Sequence, residues 1–302
     1  MKKIIVIRNF DFTSEQTGRL KKLGDVKFYN NFPVTKEEWL NRAKDADIIC
    51  SGNFGLRDNL NKLKDVFITY PFVALDGIDI EQLKKNNITL SNSPGCNKDA
   101  VSEWVMSMIL NLFRKFPQFI RNNNLPKGEM PEITQSIKNK NVTILGKGNI
   151  GLKVGKLCEA FGMNVVFFER GDNLSEKIKN ADVTINCLSP NKDTVNLLNR
   201  DFFFSLKKNS YFITFTKKEI YDSDAMIEAL NKNILGGIAD DCASEIVGDI
   251  HNDYYQKLLK HEKILVTPHI AWSTDSSMYN GNEMVIDNIE AWIKGHPQNL
   301  II

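Results

Sequence analysis

The sequence has 302 residues, of which 42% are hydrophobic and 25% are charged, which suffices for two compact domains with buried cores and argues against disorder as the main state. The net charge of +2 comes from 39 basic and 37 acidic residues spread along the chain, so we expect no nucleic-acid-binding surface. The five cysteines are far apart and odd in number, which argues against a disulfide framework, so we expect buried thiols and no metal site.

Short β-branched runs alternate with amphipathic stretches from the first residues onward, a pattern typical of strands joined by crossover helices around a parallel sheet. The first apolar run is interrupted at Arg8. It is too short for a signal peptide or a membrane span, which predicts a cytoplasmic protein with no membrane contact. The predicted strands are residues 3–7, 26–29, 48–50, 66–69 and 89–91, and the predicted helices are 35–43, 80–86 and 98–114. The polar stretch 121–140 predicts a loop into a second unit.

A glycine-rich turn opens this second unit, directly after the apolar run 142–145 and before a helical pattern. In such a turn the first glycine permits a tight bend, the second lets backbone amides approach a pyrophosphate, and the third allows the helix to pack closely on the strand. The helix N-terminus adds an anion site. This context predicts a dinucleotide-binding fingerprint, against the alternative of a glycine turn that binds no ligand. The predicted contact residues are Gly146, Gly148, Asn149, Ile150 and Gly151.

The choice of dinucleotide depends on the end of the next predicted strand, residues 164–168. Glu169 follows it, eighteen residues after Gly151. A carboxylate at this point accepts hydrogen bonds from the adenosine ribose hydroxyls and repels a 2′-phosphate, which favours NAD over NADP. Arg170 comes next and would favour a 2′-phosphate, so NADP remains the less favoured alternative.

Polar residues follow three later predicted strands, at the edge where sheets of this kind bind ligands. They are Lys217 and Lys218 in residues 211–218, Asp240 and Asp241 in 235–241 with Glu245 just beyond, and His269 within Thr-Pro-His in 264–272. The order of glycine fingerprint, cation, Asp and Glu, and then Thr-Pro-His resembles the D-2-hydroxyacid dehydrogenase family. The match covers nearly the whole chain.

The resemblance implies an α/β fold with two Rossmann-like, doubly wound parallel-sheet domains. A discontinuous, flavodoxin-like substrate domain would comprise residues 1–96 and 272–302, and an NAD-binding Rossmann domain would comprise residues 97–271. It also implies a small 2-keto acid or D-2-hydroxy acid as substrate. A homodimer is implied as well, with the long helix that begins near Lys98 contributing to the interface.

The resemblance assigns a chemical role to individual residues. His269 is similar to the acid/base that protonates the C2 oxygen as hydride arrives, a role that suits an imidazole because it titrates near neutral pH. Glu245 matches the carboxylate partner that favours its protonated form. Asp240 resembles the residue that holds the nicotinamide carboxamide. Asp241 is the competitor for this position and suits a helix cap or a turn; we choose Asp240.

Two segments depart from the family pattern. Lys217 replaces an arginine that grips the substrate carboxylate and polarises the keto oxygen, and Lys218 replaces a glycine. An ammonium group lacks the planar fork of a guanidinium, which keeps open a second interpretation, a weak or inactive relative that acts as an NAD(H)-binding regulatory protein. Val73 and Ala74, preceded by Phe72, replace a glycine-containing turn, and we predict that their amides bind the substrate carboxylate.

Overall fold

The computed structural model describes residues 1–74, 77–121, 133–241 and 247–301. The chain divides into two compact units, one formed by Met1–Asn97 with Ser273–Ile302 and the other by Lys98–Trp272. Each unit is built on a parallel sheet with helical crossovers. The predicted α/β fold class is therefore confirmed. Within the described residues, every helix is too short or too polar to cross a membrane.

The sheet of the first unit has five strands in the order β2-β1-β3-β4-β5. Its elements are β1 (Lys3–Val6), α1 (Ser14–Leu23), β2 (Asp25–Phe28), α2 (Lys36–Ala43), β3 (Ile48–Cys50), α3 (Leu56–Asn59), β4 (Phe67–Thr69), α4 (Ile80–Lys85) and β5 (Thr89–Ser91). Both faces of the sheet are buried, since Ile4 and Ile48 join one apolar cluster while Ile5 and Ile49 join another. Burial on both faces explains why these strands appear as unbroken apolar runs. The predicted strands and helices of this part are confirmed to within one residue.

The sheet of the second unit has six strands in the order β11-β10-β9-β8-β6-β7. Its elements are α5 (Lys98–Phe113), α6 (Phe116–Arg121), β6 (Asn141–Leu145), α7 (Asn149–Ala160), β7 (Asn164–Phe168), α8 (Leu174–Ile178), β8 (Val183–Asn186), α9 (Arg200–Ser205), β9 (Ser210–Thr214), α10 (Ser223–Asn231), β10 (Leu235–Asp240), α11 (Asp253–Leu259) and β11 (Ile264–Val266). The chain leaves β6 toward β7 on one side and continues with β8 on the other. The carboxyl end of β6 is therefore a topological switch point, the place where open α/β sheets bind ligands.

The final helix, α12 (Asp275–Ile293), belongs to the first unit. Val285, Ile286 and Ile289 are fully buried in the same cluster as Ile4, and burial of each such side chain contributes roughly 1.5–3 kcal/mol. A methyl group added at Gly281 would lie 2.2 Å from the carbonyl oxygen of Pro71, so the helix depends on a glycine at this contact. The C-terminal segment is thus an integral part of the first unit.

Four of the cysteines lie in the described residues, and all four are free thiols. Cys50, Cys96 and Cys158 are buried. Burial raises the pKa of Cys96 to about 11 and that of Cys158 to about 12, so these thiols stay protonated at neutral pH. Such thiols behave as small apolar side chains. Cys242 lies outside the described residues.

Candidate functional site

The glycine-rich turn connects β6 to α7 at the switch point. Gly146 has φ +99°, a left-handed conformation that favours glycine. A methyl group at Gly151 would lie only 2.1 Å from the carbonyl oxygen of Gly146, so this glycine is needed for the close packing of α7 on the strand. Gly148 is the N-cap of α7, and no atom of the described part of the chain lies within 4 Å of a methyl group placed on it. The open space beside Gly148, at a helix N-terminus, suits a pyrophosphate.

The predicted Asn149 and Ile150 are the first two residues of α7. The amides in the first turn of a helix have no acceptor within the helix, and together with the helix dipole they favour an anion. Gly146 and Gly151 are therefore required by the structure of the turn, Gly148 leaves open space beside it, and the first turn of α7 supplies donors. This part of the second unit fits a dinucleotide.

Glu169 follows β7 directly, next to the turn, because β6 and β7 pair in register up to Leu145 and Phe168. Its carboxylate lies 3.0 Å from Nζ of Lys147, and 53% of the side chain is exposed. Arg170 points into solvent, with 84% of its side chain exposed, and is paired with Asp193. The carboxylate, and not the guanidinium of Arg170, is thus the group that lies against the turn.

Asp240 is the last residue of β10 and is fully buried. Its carboxylate accepts a hydrogen bond from the hydroxyl of Tyr221 at 2.9 Å. A buried carboxylate needs such donors, since its desolvation is costly. Burial raises the pKa of the nearby Tyr254, and the charge of Asp240 adds to this effect.

Asp241 holds the turn that carries His269. Its carboxylate accepts hydrogen bonds from the hydroxyl of Thr267 at 2.5 Å and from the amides of Ile270 and Ala271 at 2.9 and 2.8 Å. Burial raises the pKa of the Asp241 carboxyl group above its ordinary value, whereas these hydrogen bonds and the nearby His269 lower it. The turn role that the sequence left open for Asp241 is thus the observed one.

His269 has φ +58°, a left-handed conformation that is unusual for a residue with a side chain. Its amide donates to the carbonyl oxygen of Thr267 at 3.0 Å, which tightens the turn. Such backbone strain costs on the order of 1–3 kcal/mol and persists only where the surroundings enforce it. The three hydrogen bonds to Asp241 provide this enforcement by holding the backbone on both sides of His269, while Nδ1 of the imidazole is buried and has no hydrogen-bond partner among the described residues.

Lys217 lies three residues beyond β9, just before a 3₁₀ turn at Lys218–Ile220. The ammonium group of Lys218 lies 3.9 Å from the ring centre of Tyr254, a cation–π contact. Lys218 is thus in contact with α11, to which Tyr254 belongs. Lys217 and His269 lie just beyond β9 and β11, and Asp240 is the last residue of β10, so all three lie at the carboxyl edge of one sheet.

Residues 106–271 match the family model described as D-isomer specific 2-hydroxyacid dehydrogenase, NAD binding domain. The chain belongs to this family. The D-lactate dehydrogenase of Staphylococcus aureus is 26% identical to it over 307 residues, which is 93% of each chain. Among solved structures, an acyclic imino acid reductase in complex with NADPH and D-Arg has a TM-score of 0.84 at 24% identity and covers 99% of this chain and 100% of its own. A D-lactate dehydrogenase from Treponema pallidum has a TM-score of 0.81 at 23% identity, with both chains fully covered.

The predicted family and the predicted NAD-binding domain are confirmed by the family match, which spans the glycine turn, Lys217, Asp240 and His269. The individual roles of these residues in the D-2-hydroxyacid dehydrogenase reaction stay predictions. The predicted partner of the histidine, Glu245, lies outside the described residues. Within the described part of the chain, no group of three or more His, Cys, Asp or Glu side chains is arranged to hold a metal ion.

Val73 and Ala74, the predicted carboxylate-binding residues, lie in the first unit after β4. The carbonyl oxygen of Val73 accepts a hydrogen bond from Asn92 at 2.7 Å, which fixes the backbone of this segment. Neither amide donates to an acceptor among the described residues, so both are available to an anion. Phe72 packs edge-on against Phe10 and Tyr70, so its ring contributes to the packing of the first unit.

Proposed function

We propose that this protein is an NAD-dependent D-2-hydroxyacid dehydrogenase that interconverts a small 2-keto acid and the corresponding D-2-hydroxy acid. The observation that carries the proposal is His269, held in a strained turn by Asp241 at the same sheet edge as the dinucleotide turn. A histidine fixed in this way at the ligand-binding edge suits general acid/base catalysis. The family match agrees with this assignment.

In the proposed reduction, the dinucleotide supplies the hydride that is added to the C2 carbon. The imidazolium of His269 donates its proton to the C2 oxygen, so that a hydroxyl group forms. In the oxidation the neutral imidazole accepts this proton. Glu245 is the proposed partner that stabilises the imidazolium, and Asp240 is the proposed acceptor for the nicotinamide carboxamide.

Two sets of donors are proposed for the substrate. Lys217 attracts the carboxylate and polarises the keto oxygen by its charge, and the amides of Val73 and Ala74 donate hydrogen bonds to the carboxylate. Orientation by Lys217 is weaker than by arginine, because a single ammonium group cannot form two parallel hydrogen bonds. We therefore expect an active enzyme that holds the substrate carboxylate less firmly than an enzyme with the family arginine.

We propose NAD as the preferred dinucleotide because the carboxylate of Glu169 lies against the turn and would repel a 2′-phosphate. The ammonium group of Lys147 lies beside that carboxylate and would reduce its repulsion of a 2′-phosphate. An exposed ion pair of this kind contributes less than about 1 kcal/mol. The preference for NAD is accordingly expected to be partial.

The test of the proposed function follows oxidation of NADH and of NADPH with glyoxylate, hydroxypyruvate, pyruvate, phenylpyruvate and branched-chain 2-keto acids. NADH binding is measured in parallel by fluorescence. Turnover with NADH and the D-configuration of the product support the proposal. An L-product, or turnover only with NADPH, would contradict the assigned stereochemistry or dinucleotide.

The second candidate function is an NAD(H)-binding regulatory protein. Lys217 in place of the family arginine is the observation in its favour. Tight NADH binding without turnover of any 2-keto acid would support this function. The strained turn of His269 favours the enzyme instead, because a protein that only binds NADH has no need for a fixed acid/base at this edge.

Replacing Lys217 by Arg is expected to retain or increase turnover, with a rise in kcat/KM of up to about tenfold, or about 1.4 kcal/mol. The reason is that a guanidinium can form the two parallel hydrogen bonds that the ammonium group cannot. The matched control is Lys218→Arg, which keeps the charge at the neighbouring position and preserves a cation–π contact with Tyr254. Loss of turnover in Lys217→Arg, with normal activity in the control, would contradict the proposed role of Lys217.

Replacing Asp241 by Asn is expected to lower kcat about tenfold or more, with little change in the KM for NADH. Asn keeps one acceptor oxygen but turns an NH₂ group toward the amide of Ala271, and an unpaired buried donor costs about 1–3 kcal/mol. His269 is then less well positioned, and poor positioning reduces rate. Steady-state kinetics and chemical denaturation measure both effects. The exposed Asp201→Asn is the control, and a normal kcat in Asp241→Asn would refute the positioning role.

The homodimer also remains a proposal. Its test is the molar mass of the protein in solution, measured by light scattering over a range of concentrations. A monomeric mass throughout that range would contradict it.

A further inference from the structure

Arg8 is a charged residue of the first unit to which the proposed function assigns no role. It lies two residues beyond β1, at the carboxyl edge of the sheet, and is half-buried. Its Nε atom is buried without a hydrogen-bond partner. Among the described residues the guanidinium forms neither a hydrogen bond nor an ion pair. A cation withdrawn from water without a counterion is costly and calls for an explanation.

The surroundings of Arg8 hold the guanidinium in place without neutralising it. Its central carbon lies 4.6 Å from the ring centre of Phe10 and 5.1 Å from that of Phe32. Gly52, which follows β3, lies on another side, and a methyl group added there would be 3.5 Å from Nε. Two aromatic rings and the backbone at Gly52 thus surround the guanidinium, and its donors have no partner among the described residues. A planar set of donors is well suited to a carboxylate.

Among the described residues, the charged and titratable groups near Arg8 do not neutralise its guanidinium. Burial lowers the pKa of Arg8, while Tyr70, Cys50 and Asp11 act weakly in the opposite direction. Arginine remains charged nevertheless. Asp11 is the acidic residue in this group, and its carboxylate accepts a hydrogen bond from Asn9 at 2.8 Å. Arg8 and Asp11 do not form an ion pair.

The position of Arg8 in the sheet separates it from the donors proposed for the first carboxylate of the substrate. Val73 and Ala74 follow β4, whereas Arg8 follows β1, and β3 lies between these strands. Two strand spacings amount to roughly 10 Å. The guanidinium itself lies between Phe32, which follows β2, and Gly52, which follows β3, so it and the amides beyond β4 suit two different groups of one ligand.

We propose that Arg8 binds a second, distal carboxylate of the substrate, so that the preferred substrates are 2-keto dicarboxylates. This inference rests on the proposed function, because the first carboxylate and the keto group are those of the dehydrogenase reaction. Arg8 then determines specificity without taking part in hydride or proton transfer. Its guanidinium receives the two hydrogen-bond acceptors and the negative charge that it lacks.

The experiment compares substrates of equal chain length with and without the second carboxylate. The pairs are 2-oxoglutarate with 2-oxovalerate, and oxaloacetate with 2-oxobutyrate. Wild type is expected to prefer the dicarboxylate in each pair. Arg8→Met is expected to lower kcat/KM for the dicarboxylates about 100-fold, mainly through KM, and to change the monocarboxylates less than about threefold. Arg19→Met is the control, since it removes one positive charge from an ion pair on α1 in the same unit.

Two further variants keep the test decisive if Arg8→Met folds poorly. Arg8→Lys retains the charge but loses the planar fork, and Gly52→Ala retains Arg8 but places a methyl group against Nε. Arg8→Lys is expected to weaken the preference for dicarboxylates about tenfold, whereas Gly52→Ala, whose methyl group would make only an ordinary van der Waals contact at 3.5 Å, is expected to retain it. Equal losses for both members of a substrate pair would overturn the inference, as would the absence of any dicarboxylate preference in wild type.

Calorimetric titration with glutarate and with valerate separates this inference from the proposed function, because neither compound is reduced. Glutarate binding that depends on Arg8, together with no turnover of any 2-keto acid, would reject the proposed function and retain the anion site. Turnover of monocarboxylates that is insensitive to Arg8, without Arg8-dependent glutarate binding, would reject the anion site and retain the dehydrogenase.

Discussion

Replacing His269 by Asn is expected to reduce kcat about 10²- to 10⁴-fold, the usual contribution of a general acid/base. The amide of Asn cannot donate a proton to the C2 oxygen or accept one from it in the neutral pH range. Asn is a better replacement than Ala, because position 269 has φ +58° and Asn tolerates the left-handed conformation. The free energy of unfolding and the affinity for NADH are therefore expected to change little.

The measurement compares kcat, NADH affinity and chemical denaturation of His269→Asn with those of wild type. His251→Asn is the matched control, since His251 is exposed and has no proposed role. A loss of kcat with unchanged NADH binding locates the effect in the chemical step. Unchanged turnover in His269→Asn would refute the assignment of the acid/base.

Much of the fold could be predicted from the sequence because its signals are local. The strands of the first unit are buried on both faces, so they appear as short runs of β-branched residues. The glycine turn is equally local, since the spacing of Gly146, Gly148 and Gly151 is set by one strand, one turn and one helix. In such cases residues that are adjacent in sequence determine the structure.

The functions of Asp241 and Arg8 were harder to predict because their partners are remote in sequence. Asp241 accepts hydrogen bonds from residues up to thirty positions later, and these contacts exist only because β10 pairs with β11. The surroundings of Arg8 combine Phe32 and Gly52, which come from different loops. An isolated Asp or Arg in the sequence carries no sign of such neighbours. The roles of these two residues therefore become predictable only once the pairing of the strands is known.

The structural role of Lys218 also depends on a partner that is remote in sequence. As part of a Lys-Lys pair it is indistinguishable in sequence from Lys217. In the structure its ammonium group lies over the ring of Tyr254, thirty-six positions later in the chain. This contact gives Lys218 a structural role that the Lys-Lys pair in the sequence does not reveal.

Two glycine substitutions in the dinucleotide turn are expected to separate binding from stability. Gly151→Ala places a methyl group 2.1 Å from a backbone oxygen, so α7 must shift, at a cost of about 1–3 kcal/mol. Gly148→Ala meets no protein atom within 4 Å and costs at most about 1 kcal/mol as a poorer N-cap. Its methyl group nevertheless occupies the space proposed for the pyrophosphate. Both variants should bind NADH at least about tenfold more weakly, and only Gly151→Ala should be clearly destabilised.

Fluorescence titration with NADH and chemical denaturation measure these two properties in each variant. Gly18→Ala, in the middle of α1, is the control for replacing a glycine by alanine. It should raise the free energy of unfolding by about 0.5–1 kcal/mol, because alanine is the better helix former. It should leave NADH binding unchanged. Normal NADH affinity in Gly148→Ala would show that the pyrophosphate does not lie against this residue. An intact fold together with weakened binding in Gly148→Ala is the result expected of a glycine retained for its ligand, because no contact within the described residues requires a glycine at that position.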